Sequence, residues 1–126
     1  MRDVTRSPFN EDTHGINNII VKPMDVTSEA SVNNCVSEIL EDTNNIIDIV
    51  INNAGYGIAG CLEGVSVEEA QQLFDVNVWG PVRVLQAALP YMRKRNSGHI
   101  INISSTSGVR GIPCMEYVYN VNNVIT

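Results

Sequence analysis

The sequence predicts an α/β fold with an open parallel sheet, and three observations predict it. "IIDIVIN" at 46–52 is a nearly continuous apolar run, the pattern of a parallel strand covered by helices on both faces. Ser66 and Glu69 stand at capping-box spacing ahead of a long apolar-periodic stretch, with Val65 placed to staple against Ala70. Short apolar runs alternate with helical stretches in the order strand, helix, strand, helix, strand, which calls for right-handed crossovers.

The elements follow in order. The first fifteen residues have no period and carry Pro8 and Gly15, so an irregular segment is expected. "NIIVKPMDV" at 18–26 reads as a short strand rich in β-branched residues, with Pro23 pointing to an edge position. Thr27 or Ser28 can cap a helix in which Val32, Cys35, Val36, Ile39 and Leu40 recur at helical spacing, ending near Thr43. The strand at 46–52 and a glycine-bearing loop come next, and the Ser66 cap starts the second helix at about Val67. Its apolar stripe (Ala70, Leu73, Phe74, Val78, Val82, Leu85, Ala88, Leu89) persists through Gly80-Pro81 and Pro90, which predicts a long helix with kinks. Arg93, Lys94 and Arg95 suit its negative end, and Asn96-Ser97-Gly98 stops it, with Gly98 as the left-handed residue. "HIINIS" at 99–104 is the third strand, running into the loop "STSGVRGIP".

Composition narrows the function classes. A chain of 126 residues, 44% hydrophobic and 17% charged, fits one soluble domain over 1–126. Its apolar runs are far shorter than the roughly 20 residues of a membrane-spanning helix. The polar N-terminus lacks the apolar core of a secretory signal, so a cytoplasmic location is expected. Net charge is −6 and the basic cluster is confined to residues 93–95, so no nucleic-acid partner is expected. Cys35, Cys61 and Cys114 are odd in number and lack C-x-x-C spacing, which predicts buried, reduced thiols. His14 and His99 stand alone, and no metal site is expected.

Gly55, Gly57 and Gly60 spell G-x-G-x-x-G after an apolar run, the pattern of a pyrophosphate cradle. A cradle needs a helix that opens inside the motif, so that its unpaired N–H groups face the phosphates. Here Gly64 and the Ser66 cap delay the helix, and Asp75, the acidic residue about 20 positions on, falls within it. The cradle reading fails.

What remains is "NNAG" at 52–55, and with it a resemblance. "DV" at 25–26, "NNAG", "NVWG" at 77–80 and "INISSTSG" at 101–108, in that order and at those separations, resemble successive motifs of the short-chain dehydrogenase/reductases. Residues 62–105, and "MRD" at the start, resemble the hydroxysteroid and retinol dehydrogenase branch. The likeness runs to Tyr117, and the tail at 118–126 looks unrelated.

The resemblance implies a partial doubly wound Rossmann-type parallel sheet lacking the first two strands and the glycine-rich turn. It implies NADP or NAD as cofactor, with NADP ahead, and a small-molecule alcohol or ketone as substrate. Asp25, with Val26, matches the site that receives the adenine amino group; Asn52, Ala54 and Gly55 match the turn on the adenosine side. Asn77 matches the residue whose backbone carbonyl holds a water in a proton relay, although its side chain could instead simply bond to the sheet. Ser105, with Ser104 beside it, matches the serine that polarises the substrate carbonyl. Arg2 stands where this branch carries a cation for the NADP phosphate. A homodimer is implied for the intact parent.

Two departures qualify that likeness. The family's general acid is a tyrosine followed four residues later by lysine, yet the family spacing from Ser105 lands on Val118, between Tyr117 and Tyr119, and no lysine follows Lys94. A phenol of ordinary pKa, about 10, is ionised to roughly one part in a thousand at neutral pH, and the missing cation would have offset about 4 kcal/mol of that. Strand order 3-2-1-4-5-6 also leaves 18–26 and 46–52 with no strand between them, so two unpaired edges are expected. The chain is therefore expected to be a fragment of an NAD(P)-dependent oxidoreductase, inactive in isolation. The competing expectation is a non-catalytic α/β module for dinucleotide sensing or protein interaction.

Overall fold

A computed structural model of the chain describes residues 19–108. Helix α1 spans Glu29–Asp42, strand β1 Ile49–Asn52, helix α2 Val67–Phe74, helix α3 Gly80–Arg95 and strand β2 His99–Asn102. Single 3-10 turns lie at Leu62–Gly64 and Thr106–Gly108, and a π turn at Asp75–Trp79 joins α2 to α3. The two strands pair in parallel, Ile49 opposite His99 through Asn52 opposite Asn102, so the connection through α2 and α3 is a crossover.

Both helix starts are chemical. Ser28 caps α1, its Oγ accepting the Ser31 N–H at 3.3 Å. At Ser66 the full capping box forms: the Glu69 N–H donates to Ser66 Oγ at 3.2 Å and the Ser66 N–H to Glu69 Oε2 at 2.9 Å. The Ser66 N–H and the Ser66 hydroxyl, which also donates to Glu69 Oε2 at 2.9 Å, hold the Glu69 carboxyl below the usual glutamate range, the backbone donor contributing most.

The long helix is interrupted ahead of Gly80-Pro81, as expected, whereas α3 runs through Pro90 without a break. An α-helix would bring the residue 81 N–H to the Asn77 carbonyl, and Pro81 has none to give. The chain widens by one residue instead, with the Gly80 N–H reaching back to the Asp75 carbonyl.

Helices α1 and α3 run side by side in the same direction. Val32, Val36 and Leu40 form a buried row on α1, packed against Val84 and Ala87 of α3 and against Ile47. Arginines pin the pair at each end: Arg83 donates to the Val26 carbonyl at 3.1 Å, and Arg95 donates to the Ile47 carbonyl at 3.2 Å and pairs with Asp48 at 2.8 Å. A smaller core joins Leu73 and Val78 to Phe74 and to Ile58 of the glycine loop.

Several expectations are corrected. Residues 19–25 form no strand: β1 has β2 as its one partner among the described residues, and a strand exists by virtue of its ladder. Lys22 holds this segment to α1 through Glu38 at 3.1 Å and Asp42 at 2.9 Å. The strand at 46–52 begins at Ile49, because Ile47 turns into the helical core. Its faces are not both covered, with Ile49 57% and Ile51 58% exposed. The third strand ends at Asn102. The left-handed residue closing α3 is Asn96, φ 53°, whereas Gly98 serves close packing: a Cβ there would lie 2.8 Å from Met92 Cγ and Sδ. Asn44 and Asn45, φ 54° and 62°, make the corresponding turn after α1. Of the thiols, Cys35 is buried, which pushes its pKa up, but Cys61 is exposed.

Candidate functional site

Parallel strands with crossover helices place the carboxyl ends of β1 and β2 and the start of α3 at one end of the molecule, where open α/β sheets bind ligands. A cavity of about 320 Å³ opens there, lined by the 53–57 loop, Asn77, Ile103, Ser104, Ser105 and Ser107. It brings together Ala54, Gly55, Asn77 and Ser105, four of the residues singled out from the sequence.

Asn77 reaches this loop from the π turn. Its Oδ1 accepts the Tyr56 N–H at 3.1 Å and its Nδ2 donates to the Tyr56 carbonyl at 2.8 Å, so one amide satisfies both backbone groups of one residue. Gly55 allows the approach, since a Cβ there would lie 3.2 Å from Asn77 Oδ1. The side chain thus braces the glycine loop in place of the sheet itself.

At the strand ends, Asn52 Nδ2 donates to Asn102 Oδ1 at 2.8 Å and the Ile103 N–H donates to the Asn52 carbonyl at 2.9 Å. These bonds extend the pairing past β2 and fix where the serine loop departs. The Ser107 N–H then donates to Ser105 Oγ at 3.2 Å, and the Ser105 hydroxyl lies 3.3 Å from the buried Ser107 Oγ. Ser105 Oγ thus accepts from a backbone N–H and donates its own proton to Ser107 Oγ, a long bond that a stronger acceptor in the cavity would displace.

Asp25 and Val26 lie before α1, near the start of α3, but outside the lining of the cavity. Asp25 Oδ1 accepts the Thr27 N–H at 3.0 Å and the Thr27 hydroxyl at 2.7 Å, which holds its carboxyl below the usual aspartate range, the hydroxyl contributing most. This local turn is the cap-improving role that an aspartate ahead of a helix can play. Val26 packs on Gly80, where a Cβ would meet Val26 Cγ2 at 2.9 Å. Arg2, Tyr117 and Tyr119 lie outside the described residues.

Tyr56, Ser107 and Arg83 were not singled out from the sequence. Ser107 had a signal, because a hydroxyl two residues before a backbone donor is a common turn. Arg83 had none, since its partners Val26 and Asp75 stand 57 and 8 residues away. A larger groove of about 750 Å³ runs along α2 and the π turn, past Val67, Gln71, Phe74 and Trp79. It shares no residue with the cavity above, and its polar lining is carboxylate and amide in place of hydroxyl.

A parallel sheet with a glycine turn and paired serines at its carboxyl edge defines an α/β domain of the kind that binds nucleotide cofactors. The chain belongs to the short chain dehydrogenase family, which it matches over residues 7–120. It is 43% identical over 94 residues to retinol dehydrogenase 8 of Homo sapiens, covering 75% of this chain and 29% of that protein. It is 47% identical over 90 residues to 3-ketodihydrosphingosine reductase of Bacteroides thetaiotaomicron, covering 71% of this chain and 33% of that one. Its fold is similar to that of ElxO with NADP bound, at a TM-score of 0.80 and 28% identity, over 86% of this chain and 44% of the other. The chain thus spans less than half the length of these relatives. Among the described residues, no helix is long and apolar enough to cross a membrane.

Proposed function

We propose that the chain is part of an NAD(P)(H)-dependent oxidoreductase that moves a hydride between nicotinamide and a secondary alcohol or ketone of steroid- or retinoid-like shape. The observation that carries this is the meeting of Ser105, Asn77 and Gly55 on one cavity at the carboxyl ends of two parallel strands. The relatives named for retinol and for a keto lipid base support an apolar alcohol or ketone as substrate. NADP ahead of NAD follows the Arg2 match and the NADP-bound neighbour.

The residues present fit the nicotinamide end of such a cofactor. Three serines and a glycine turn line a space suited to one ring and its sugar. They do not fit the pyrophosphate, because no helix opens at Gly55–Gly60 and the next one starts at Val67. When bound, the nicotinamide supplies or takes up the hydride. Ser105 donates a hydrogen bond to the substrate oxygen, where negative charge grows during reduction. The Asn77 carbonyl, deprived of its α-helical donor by Pro81, holds a relay water. Asn52, Ala54 and Gly55 wall the adenosine side, and Asp25, beside Val26, receives the adenine amino group.

By itself the chain binds cofactor weakly and turns over little, for want of a cradle and of the Tyr-x-x-x-Lys pair. The parent enzyme is cytoplasmic and dimeric in this reading. The same missing lysine favours a second reading, a non-catalytic dinucleotide-sensing or interaction module.

Titration of the 126-residue chain with NADPH tests both. The expected result is no saturation in the micromolar range, with amide shifts at millimolar NADPH confined to residues 53–57 and 104–107 and diminished in Ser105→Ala. Saturable micromolar binding contradicts the weak-binding claim. Shifts along the α2 groove in place of the cavity overturn the oxidoreductase reading.

A further inference from the structure

Between Asp75 and Arg93 the sequence carries one charged residue, Arg83, on the first turns of α3. Its side chain is half-buried, at 25% exposure, and the guanidinium engages three acceptors. Nη2 pairs with Asp75 Oδ1 at 2.6 Å, while Nη1 donates to the Val26 carbonyl at 3.1 Å and to the Asp75 carbonyl at 3.3 Å. That last carbonyl is the one that also takes the Gly80 N–H, the bond that closes the π turn. One planar fork thus supports the widened turn and ties it to the segment preceding α1.

The π turn matters because of what it aims. An α-helix advances about 100° per residue, so erasing the extra residue between Asp75 and Gly80 would rotate Asn77 off the Tyr56 backbone. Asn77 is the side chain holding both polar groups of Tyr56, and Tyr56 belongs to the loop that walls the cavity. Hydrogen bonds therefore run from Val26 through Arg83 to Asp75, the backbone of the π turn carries the link on to Asn77, and Asn77 bonds the glycine loop.

We infer that Arg83 is a positioning residue: by holding the turn at 75–79 in its widened register, it sets the Asn77 amide on the glycine loop and so the shape of the cavity. Its consequence for hydride transfer rests on the oxidoreductase reading above; the coupling itself does not.

Residue-resolved amide hydrogen exchange on the 126-residue chain tests it. Arg83→Met keeps the stem and removes the fork. It is expected to speed exchange of the Tyr56 N–H by about tenfold or more, through local opening, while the Thr43 and His99 N–H groups keep their rates. Those two reference amides donate to Ile39 at 3.0 Å and Asp48 at 2.8 Å, away from the π turn. Arg83→Lys, with a point charge in place of the fork, should fall between wild type and Arg83→Met. Equal acceleration at all three amides, or an unchanged Tyr56, overturns the inference. Should Arg83→Met fail to fold, the same three amides in Arg83→Lys decide by the same criterion. NADPH-induced shifts along the α2 groove in place of the cavity would defeat the functional reading and leave this result standing.

Discussion

The seam between α1 and α3 and the outer face of β1 are made of the same kind of side chain and end up in opposite surroundings. Val32 is wholly buried and Leu40 is 3% exposed, yet Ile49 and Ile51 are more than half exposed. The seam is supplied twice over by the chain, with α1 on one side, α3 on the other and an arginine at each end. The strand has a neighbour along one edge and incomplete cover on its faces. An apolar run records a surface suited to burial; whether it is buried depends on a second surface that the run does not encode.

Stability measurements by urea unfolding sharpen that contrast, and the largest effect belongs to the seam. Leu40→Ala should cost about 2–5 kcal/mol, through lost transfer energy and the cavity left beside Val84 and Ala87. Gly80→Ala comes next. Its new Cβ would press on Val26 Cγ2 and Cβ at 2.9 and 3.0 Å, costing about 1–3 kcal/mol of overpacking against roughly 1 kcal/mol gained in helix propensity. A gain in stability would mean that Val26 yields freely and that the junction of 25–26 with α3 is loose.

Ser66→Ala should cost about 1 kcal/mol by removing the cap of α2. It should also flatten the acid limb of the pH–stability curve. Glu69 has its pKa lowered in the folded chain, so the stability it contributes is complete above the ordinary glutamate pKa and is lost as pH falls through the lower, folded value. A variant that keeps the wild-type acid limb would rule out Glu69 as its source. The smallest effect is expected on the strand face, where Ile51→Thr should stay within about 0.5 kcal/mol. A cost comparable with Leu40→Ala would show that Ile51 is covered in solution.

Much of the site was legible. Ala54, Gly55, Asn77 and Ser105 were singled out by motif and do line one cavity. Asn77 was read for its carbonyl, with a side-chain bond to the sheet as the plainer alternative, and its amide turns out to brace the glycine loop. Asp25 reaches the same end of the molecule but spends its carboxylate on Thr27. Arg83 stayed hidden because a polar clamp across three segments leaves no periodic trace in any of them.

The sequence by itself determined the helices: where α1 and α2 start, where the long helix breaks, and that Asn96-Ser97-Gly98 ends it. A helix closes its hydrogen bonds within a few residues, so caps, prolines and glycines act on neighbours that are already adjacent in the chain. Tertiary structure alone decided that residues 19–25 form no strand, that Ile49 and Ile51 stay exposed, that Asn96 and not Gly98 turns left-handed, and that Arg83 joins Val26 to Asp75. Each of these depends on a partner distant in sequence, or on the room a packed neighbour such as Met92 leaves, and short-range pattern does not carry that information.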